Sequence, residues 1–123
     1  MTRTSTIFAL ATPTARAPAA LVRVSGPLVP AITTDICGLP MKRSAVQCAI
    51  LLPVGEVPAA AWVLPAPHTL TGEDTLEIHV PGNPAIVRQL EERLRELGAK
   101  DADPGALTRR ALDAGQLAPS PRE

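Results

Sequence analysis

Aromatic side chains are almost missing from this sequence: Phe8 and Trp62 are the two, and there is no tyrosine. Proteins that hold single-stranded RNA by stacking its bases need a row of such rings, so that mode of binding is argued against. Net charge is missing as well. Twelve Lys and Arg balance twelve Asp and Glu, which speaks against an autonomous, strongly basic nucleic-acid binder and leaves open a role beside one. Cysteine is scarce: Cys37 and Cys48 are too far apart for a C-x-x-C pair, and no further Cys or His-rich cluster completes a zinc site. Both read as small buried hydrophobes in a reducing compartment, which implies a cytoplasmic protein. No apolar run approaches the ~20 residues of a membrane span, so no membrane is expected. A G-x-x-x-x-G-K-[ST] phosphate loop is lacking, so the chain is expected neither to bind nor to hydrolyse GTP. No Ser or Cys stands in a nucleophile motif, and Asp101, Asp103 and Asp113 are too scattered for a metal cage. Neither catalytic nor metal-ligating residues are assigned.

What is present is proline, fourteen of them in 123 residues, and an aliphatic complement of Leu, Val, Ile and Ala. One small domain with a modest core is expected, rich in loops. Residues 4–12 read as a strand around Ile7, Phe8 and Leu10, followed by a loop over 13–18. Residues 19–25 alternate, with Val22 and Val24 on one face and Arg23 and Ser25 on the other. Gly26-Pro27 ends that strand, and a short helix from about Pro27 to Cys37 follows, with Gly38 just past its end. Residues 45–52 and 59–64 read as apolar strands. The clearest element is a helix over 84–97: Asn83 is a good N-cap, Pro84 suits the first helical position, and Ile86, Val87, Leu90, Leu94 and Leu97 form one stripe. Glu91 and Arg95 are placed for an i,i+4 pair, and Gly98 for a C-terminal cap. Lys100 to Asp103 reads as a polar connection, 106–114 as a short helix, and 118–123 as a frayed tail. The fold class expected is α+β: a small mixed β-sheet packed with two or three helices, in one domain over 1–117.

The densest chemistry lies at Thr71-Gly72-Glu73-Asp74 and Glu77-Ile78-His79, where a Pro-rich loop turns into an alternating strand. Spacing alone makes these acids a solvated turn with Gly72 supplying the backbone freedom; a ligand site is the alternative, because loops carry function more often than cores do. Arg23, mid-strand on a polar face, is either a plain exposed arginine or a planar donor fork for a carboxylate or a heteroaromatic ring. His68 and His79 carry no companion motif.

Four blocks in order resemble the N-terminal domain of the MnmE/TrmE tRNA-modification GTPase family. They are Ala9-Leu10-Ala11-Thr12-Pro13 with Leu21-Val22-Arg23-Val24-Ser25-Gly26-Pro27; Pro65-Ala66-Pro67-His68; Thr71-Gly72-Glu73-Asp74 with Glu77-Ile78; and Pro104-Gly105, Thr108, Arg110-Ala111 and Leu117. An Arg- and Ser-rich, acid-free start that looks like a transit peptide is therefore read as part of the domain. The resemblance implies the fold shared with the tetrahydrofolate-binding domain of aminomethyltransferases, a homodimer, and a site for 5-formyltetrahydrofolate or another tetrahydrofolate. On that basis the cofactor-binding residues are Arg23, Thr71, Gly72, Glu73, Asp74, Glu77 and Arg110. The carboxylates would accept the N–H groups of the amino-pyrimidine edge of a pterin.

Family members continue into a helical domain with a GTPase and a C-terminal Cys motif, and this sequence stops at Glu123, so a standalone, diverged module without GTPase activity is expected. The family's glycine-rich loop appears as Ala15-Arg16-Ala17-Pro18, its H-G-G-P as Pro81-Gly82-Asn83-Pro84, and its P-G-E-F-T as Pro104-Gly105-Ala106-Leu107-Thr108. A loop that relied on glycine cannot keep its conformation with Ala and Pro. Weakened folate binding follows as an expectation, in a module tied to tRNA wobble-uridine modification. A dimerisation domain that has lost the ligand is the alternative. A one-carbon-transfer enzyme ranks last, since enclosing its substrate needs a longer chain.

Overall fold

Alternation in two central strands sets the architecture. The computed structural model describes residues 5–11 and 18–115. Strand β2 (Ala19–Ser25) buries Ala20, Val22 and Val24, and β5 (Thr75–Pro81) buries Leu76, Ile78 and Val80. The two pair antiparallel, with Arg23 opposite Glu77 and Ser25 opposite Thr75. Around them the described residues form a six-stranded mixed sheet in the order β3-β4-β5-β2-β1-β6, with β1 at Ile7–Leu10, β3 at Ser44–Leu52, β4 at Gly55–Leu64 and β6 at Lys100–Asp101. Neighbours run antiparallel, except that β6 lies parallel to β1.

One face of the sheet is covered by helices. α1 (Val29–Ile32) runs directly into a π-helical turn, Thr33–Cys37, closed by Gly38. Pro30 lies in the first turn of α1, where its missing N–H costs nothing. α2 (Pro84–Glu96) lies beside them, with Leu90 and Leu94 fully buried and Ile86, Val87 and Leu97 packed against the same core. Asn83 caps α2 as its sequence position requires, accepting the Ala85 N–H at 2.8 Å. Among the described residues, the opposite face is covered by a helix only at one end. There α3 (Pro104–Asp113), capped by Asp103, seats Leu107 on Ile7 and Ala9 in a small second core. Among the described residues no helix covers the rest of that face, where Leu21, Arg23, Glu77 and His79 are half-buried and Trp62 is exposed.

The α+β class and the mixed sheet agree with expectation. Several details differ. The first strand is Ile7–Leu10, within the expected 4–12, and the first helix starts at Val29 rather than Pro27. β4 begins at Gly55, ahead of the expected 59. The polar stretch after Gly98 contains β6, which pairs Lys100 and Asp101 with Ile7 and Phe8. Arg95 forms its ion pair with Asp101, at 2.6 and 2.8 Å, instead of Glu91. That hydrogen bond holds the Asp101 carboxyl below the usual carboxylate range, while burial raises that of Glu91. Cys48 is half-buried, not fully buried like Cys37. The expected loop over 13–18 up to residue 17, with Ala15-Arg16-Ala17, and the residues from Gln116 onward, including Leu117 and the 118–123 tail, lie outside the described residues. Among the described residues, no helix is long and apolar enough to cross a membrane.

Candidate functional site

Glu73 is the centre of the site, and every polar group it owns is held. Its N–H donates to Thr71 Oγ1 at 3.3 Å, and its carbonyl accepts from the hydroxyls of Thr69 and Thr75 at 2.6 and 3.0 Å. Its carboxylate accepts from Ser25 Oγ at 2.8 Å and from Arg110 Nη1 at 2.9 and 3.2 Å. The Ser25 proton is committed to Glu73, so the 2.7 Å contact between Ser25 and Thr71 has Thr71 as donor. Strand β2, the 65–74 loop and α3 therefore meet at one carboxylate. Only 26% of the Glu73 side chain and 17% of the Arg110 side chain remain exposed, so this pair is far better shielded than a surface salt bridge.

One row along the open face lies a second pair. Arg23 Nε donates to Glu77 Oε2 at 2.8 Å, with both side chains mostly covered. Glu77 is also opposite Trp62 on β4, whose ring lies 6.1 Å from that of His79 at a tilted angle. Trp62 is 46% exposed, an unusual position for a protein's single tryptophan. A cleft of about 190 Å³ opens beside the first pair, walled by Thr71, Gly72, Glu73, Arg110, Asp113 and Ala114.

The loop is fixed from behind. Asp74 accepts the Ala66 N–H at 2.8 Å through its side chain and the Gly26 N–H at 3.1 Å through its carbonyl. Arg43 donates to the carbonyls of Pro65 and His68 at 3.2 and 2.9 Å. Gly72 takes φ of 78°, in the left-handed region that glycine tolerates best.

Of the residues singled out from sequence, Thr71, Gly72, Glu73 and Arg110 thus share one cleft, Arg23 and Glu77 form the neighbouring pair, and Asp74 points its carboxylate into the loop. Ser25 and Arg43 were missed. Alternation already placed Ser25 on the Arg23 face, a usable signal; nothing local marks Arg43. Chemically the arrangement suits recognition. It offers two arginine–carboxylate pairs, hydroxyls and an exposed indole. Among the described residues, no group of three or more His, Cys, Asp or Glu could hold a metal.

A family model described as GTP-binding protein TrmE N-terminus matches residues 6–116. The chain belongs to this family. Its relatives include the tRNA modification GTPase MnmE of Caulobacter vibrioides, 46% identical over 93% of this chain. The proteins of the same name from Alkalilimnicola ehrlichii and Roseobacter denitrificans are 43% and 40% identical over 95% and 91% of it. The chain spans about a quarter of the length of these relatives, 26–27%. The TrmE N-terminal match includes every residue of the cleft and of the Arg23–Glu77 pair.

Proposed function

We propose that this TrmE N-terminal domain is a self-associating module that binds a tetrahydrofolate weakly, in the service of tRNA wobble-uridine modification, without GTPase activity of its own. The observation that carries this reading is the pair of shielded carboxylates, Glu73 and Glu77, each beside an arginine on the open face. A reduced pterin presents N–H donors along one edge and a glutamate tail at the other end, matching carboxylate and guanidinium respectively. A cleft of about 190 Å³ falls short of the roughly 300–1,000 Å³ of ordinary ligand pockets. A second copy laid against the open face would supply the missing wall and cover Trp62. One observation favours the alternative of an interaction domain that has lost the ligand: both carboxylates already have partners, and a pterin must compete with them.

The deciding experiment is a calorimetric titration of the purified chain with 5-formyltetrahydrofolate. Weak binding is expected, about tenfold to a thousandfold below that of a site with two or three more hydrogen bonds. Arg23→Ala and Glu77→Ala each weaken it further, while Glu92→Ala on the exposed face of α2 leaves it unchanged. No heat at millimolar ligand would establish the alternative; binding indifferent to Arg23→Ala would move the site elsewhere. Light scattering at tens of micromolar should give twice the 12.9 kDa chain mass, and a strictly monomeric result would remove self-association.

A further inference from the structure

The single indole of the chain stands where the core does not need it. Trp62 is exposed on β4, while its chain neighbours Ala61 and Val63 are fully buried on the other face. Strand register sets it in one row across the sheet: Ala45 on β3, Trp62 on β4, Glu77 on β5 and Arg23 on β2, each opposite the next. Facing residues in such a row stand about 5 Å apart, so the base of the indole adjoins that of the Glu77 side chain. On the other side Ala45 is too short to cover the ring. His79, two residues beyond Glu77 on β5, places its imidazole 6.1 Å from the indole at 39° and props one side of it. Arg23 Nε engages Glu77 Oε2 at 2.8 Å; among the described residues no donor reaches Oε1. The row lies beside the Glu73 cleft, none of whose walls is aromatic.

We infer that Trp62 is a specificity residue: its indole carries the flat amino-pyrimidine ring of a pterin while Glu77 accepts that ring's N–H groups. The inference rests on the tetrahydrofolate reading above and adds which part of the ligand is read, and by what. A 2-amino-4-oxo-pyrimidine presents two adjacent N–H donors along one edge, spaced for the two oxygens of one carboxylate. Glu77 Oε1 can take one of them, and Oε2 keeps a lone pair beside its bond to Arg23. A ring docked on that carboxylate has the indole next to it across the strands, at the separation that offset stacking requires. Ala45 leaves the approach clear, and Arg23 holds the carboxylate from the far side. The aminobenzoyl-glutamate part of a folate has no such N–H edge, so the Trp62–Glu77 pair selects for the heterocycle and not for the tail.

The test is a fluorescence titration of the full chain, in which Trp62 is the one indole emitter. The probes are isocytosine (the bare amino-pyrimidine ring), p-aminobenzoylglutamate (the tail alone) and 5-formyltetrahydrofolate, each corrected for absorption against free tryptophan. Millimolar isocytosine is expected to change Trp62 emission saturably, and the tail is not. By calorimetry, Trp62→Ala weakens 5-formyltetrahydrofolate binding about threefold to tenfold, and Trp62→Phe, which keeps a π-face, restores it to within about twofold. Tetrahydrofolate binding unaltered in Trp62→Ala, or an emission change with the tail as large as with isocytosine, would sink the inference and leave the folate reading standing. A saturable response to isocytosine with no heat from 5-formyltetrahydrofolate would do the reverse. Emission that answers to protein dilution but to none of the three probes would overturn the inference and make Trp62 a contact between copies of the chain.

Discussion

Gly26→Ala is expected to lower the Tm by about 10–25 °C, or to prevent the chain from accumulating folded. Gly26 follows β2 with φ of 139°, where an L side chain is strained by roughly 1–3 kcal/mol. Space is the second problem. A Cβ there would lie 2.5 Å from the Cα of Thr6, 2.7 Å from its hydroxyl and 2.9 Å from the carbonyl of Ser5. Two of these are backbone atoms leading into β1, so no rotamer change relieves them; overpacking of this kind costs a further ~1–3 kcal/mol. The sum is a large part of the ~5–15 kcal/mol that holds a domain folded, and each kcal/mol moves the Tm of a chain this size by roughly 3–6 °C. A thermal melt followed by circular dichroism measures it. A Tm within two or three degrees of the parent would mean that the Thr6 segment moves aside freely. Because Gly26 also donates to the Asp74 carbonyl and follows Ser25, any folded variant should be perturbed at the 71–74 loop as well.

Arg110→Ala is the second substitution with a large effect, and it divides stability from recognition. Removing the guanidinium leaves Glu73 mostly shielded with only Ser25 donating to its carboxylate. An unpartnered charge there costs about 1–3 kcal/mol, less than in a fully buried pair because a quarter of the side chain is still wet. Adding Glu73→Gln removes the orphaned charge while keeping an acceptor for Ser25, so the double variant should regain most of the lost stability in urea unfolding. Tetrahydrofolate binding should fall at least about tenfold in both, since neither retains the pair. A double variant as unstable as Arg110→Ala would mean that the arginine acts by packing over α3 instead of by charge. Binding restored together with stability would make the pair a structural clamp and nothing more.

How far the sequence revealed this structure depended on how local each cause was. α2 was legible almost to the residue, because an asparagine cap, a proline at the first position and a five-residue apolar stripe all act within the segment itself. β2 was legible by alternation. β6 was not: Lys100 and Asp101 are exposed and polar, and they become a strand only by pairing with Ile7 and Phe8 from the opposite end of the chain. β4 was read as 59–64, yet it runs through Pro58 back to Gly55. The proline is tolerated because β5 pairs with β4 only from Ala60 onward, so Pro58 has β3 on one side and no β5 partner on the other. The site divides similarly. Spacing showed an acidic turn and a strand arginine, and the family resemblance supplied Arg110. Nothing local announces that Glu73 and Arg110, or Ser25 and Thr71, meet across intervals of 37 and 46 residues.

Arg110 rides on the smaller of the two cores, where Leu107 meets Ile7 and Ala9 with Ala102 and Ala106 at the edge. Among the described residues that core is small, so the corner is expected to open at a lower free energy than the sheet centre around Leu76 and Ile78. One wall of the cleft is thus expected to undock with α3 before the sheet centre opens. Whatever grips Arg110 pulls α3 toward the docked form by mass action. Occupancy of the cleft should therefore be written in the amide hydrogens of residues 104–113, which exchange more slowly when it is filled, while those of Leu76 to Val80 keep the pace of global unfolding.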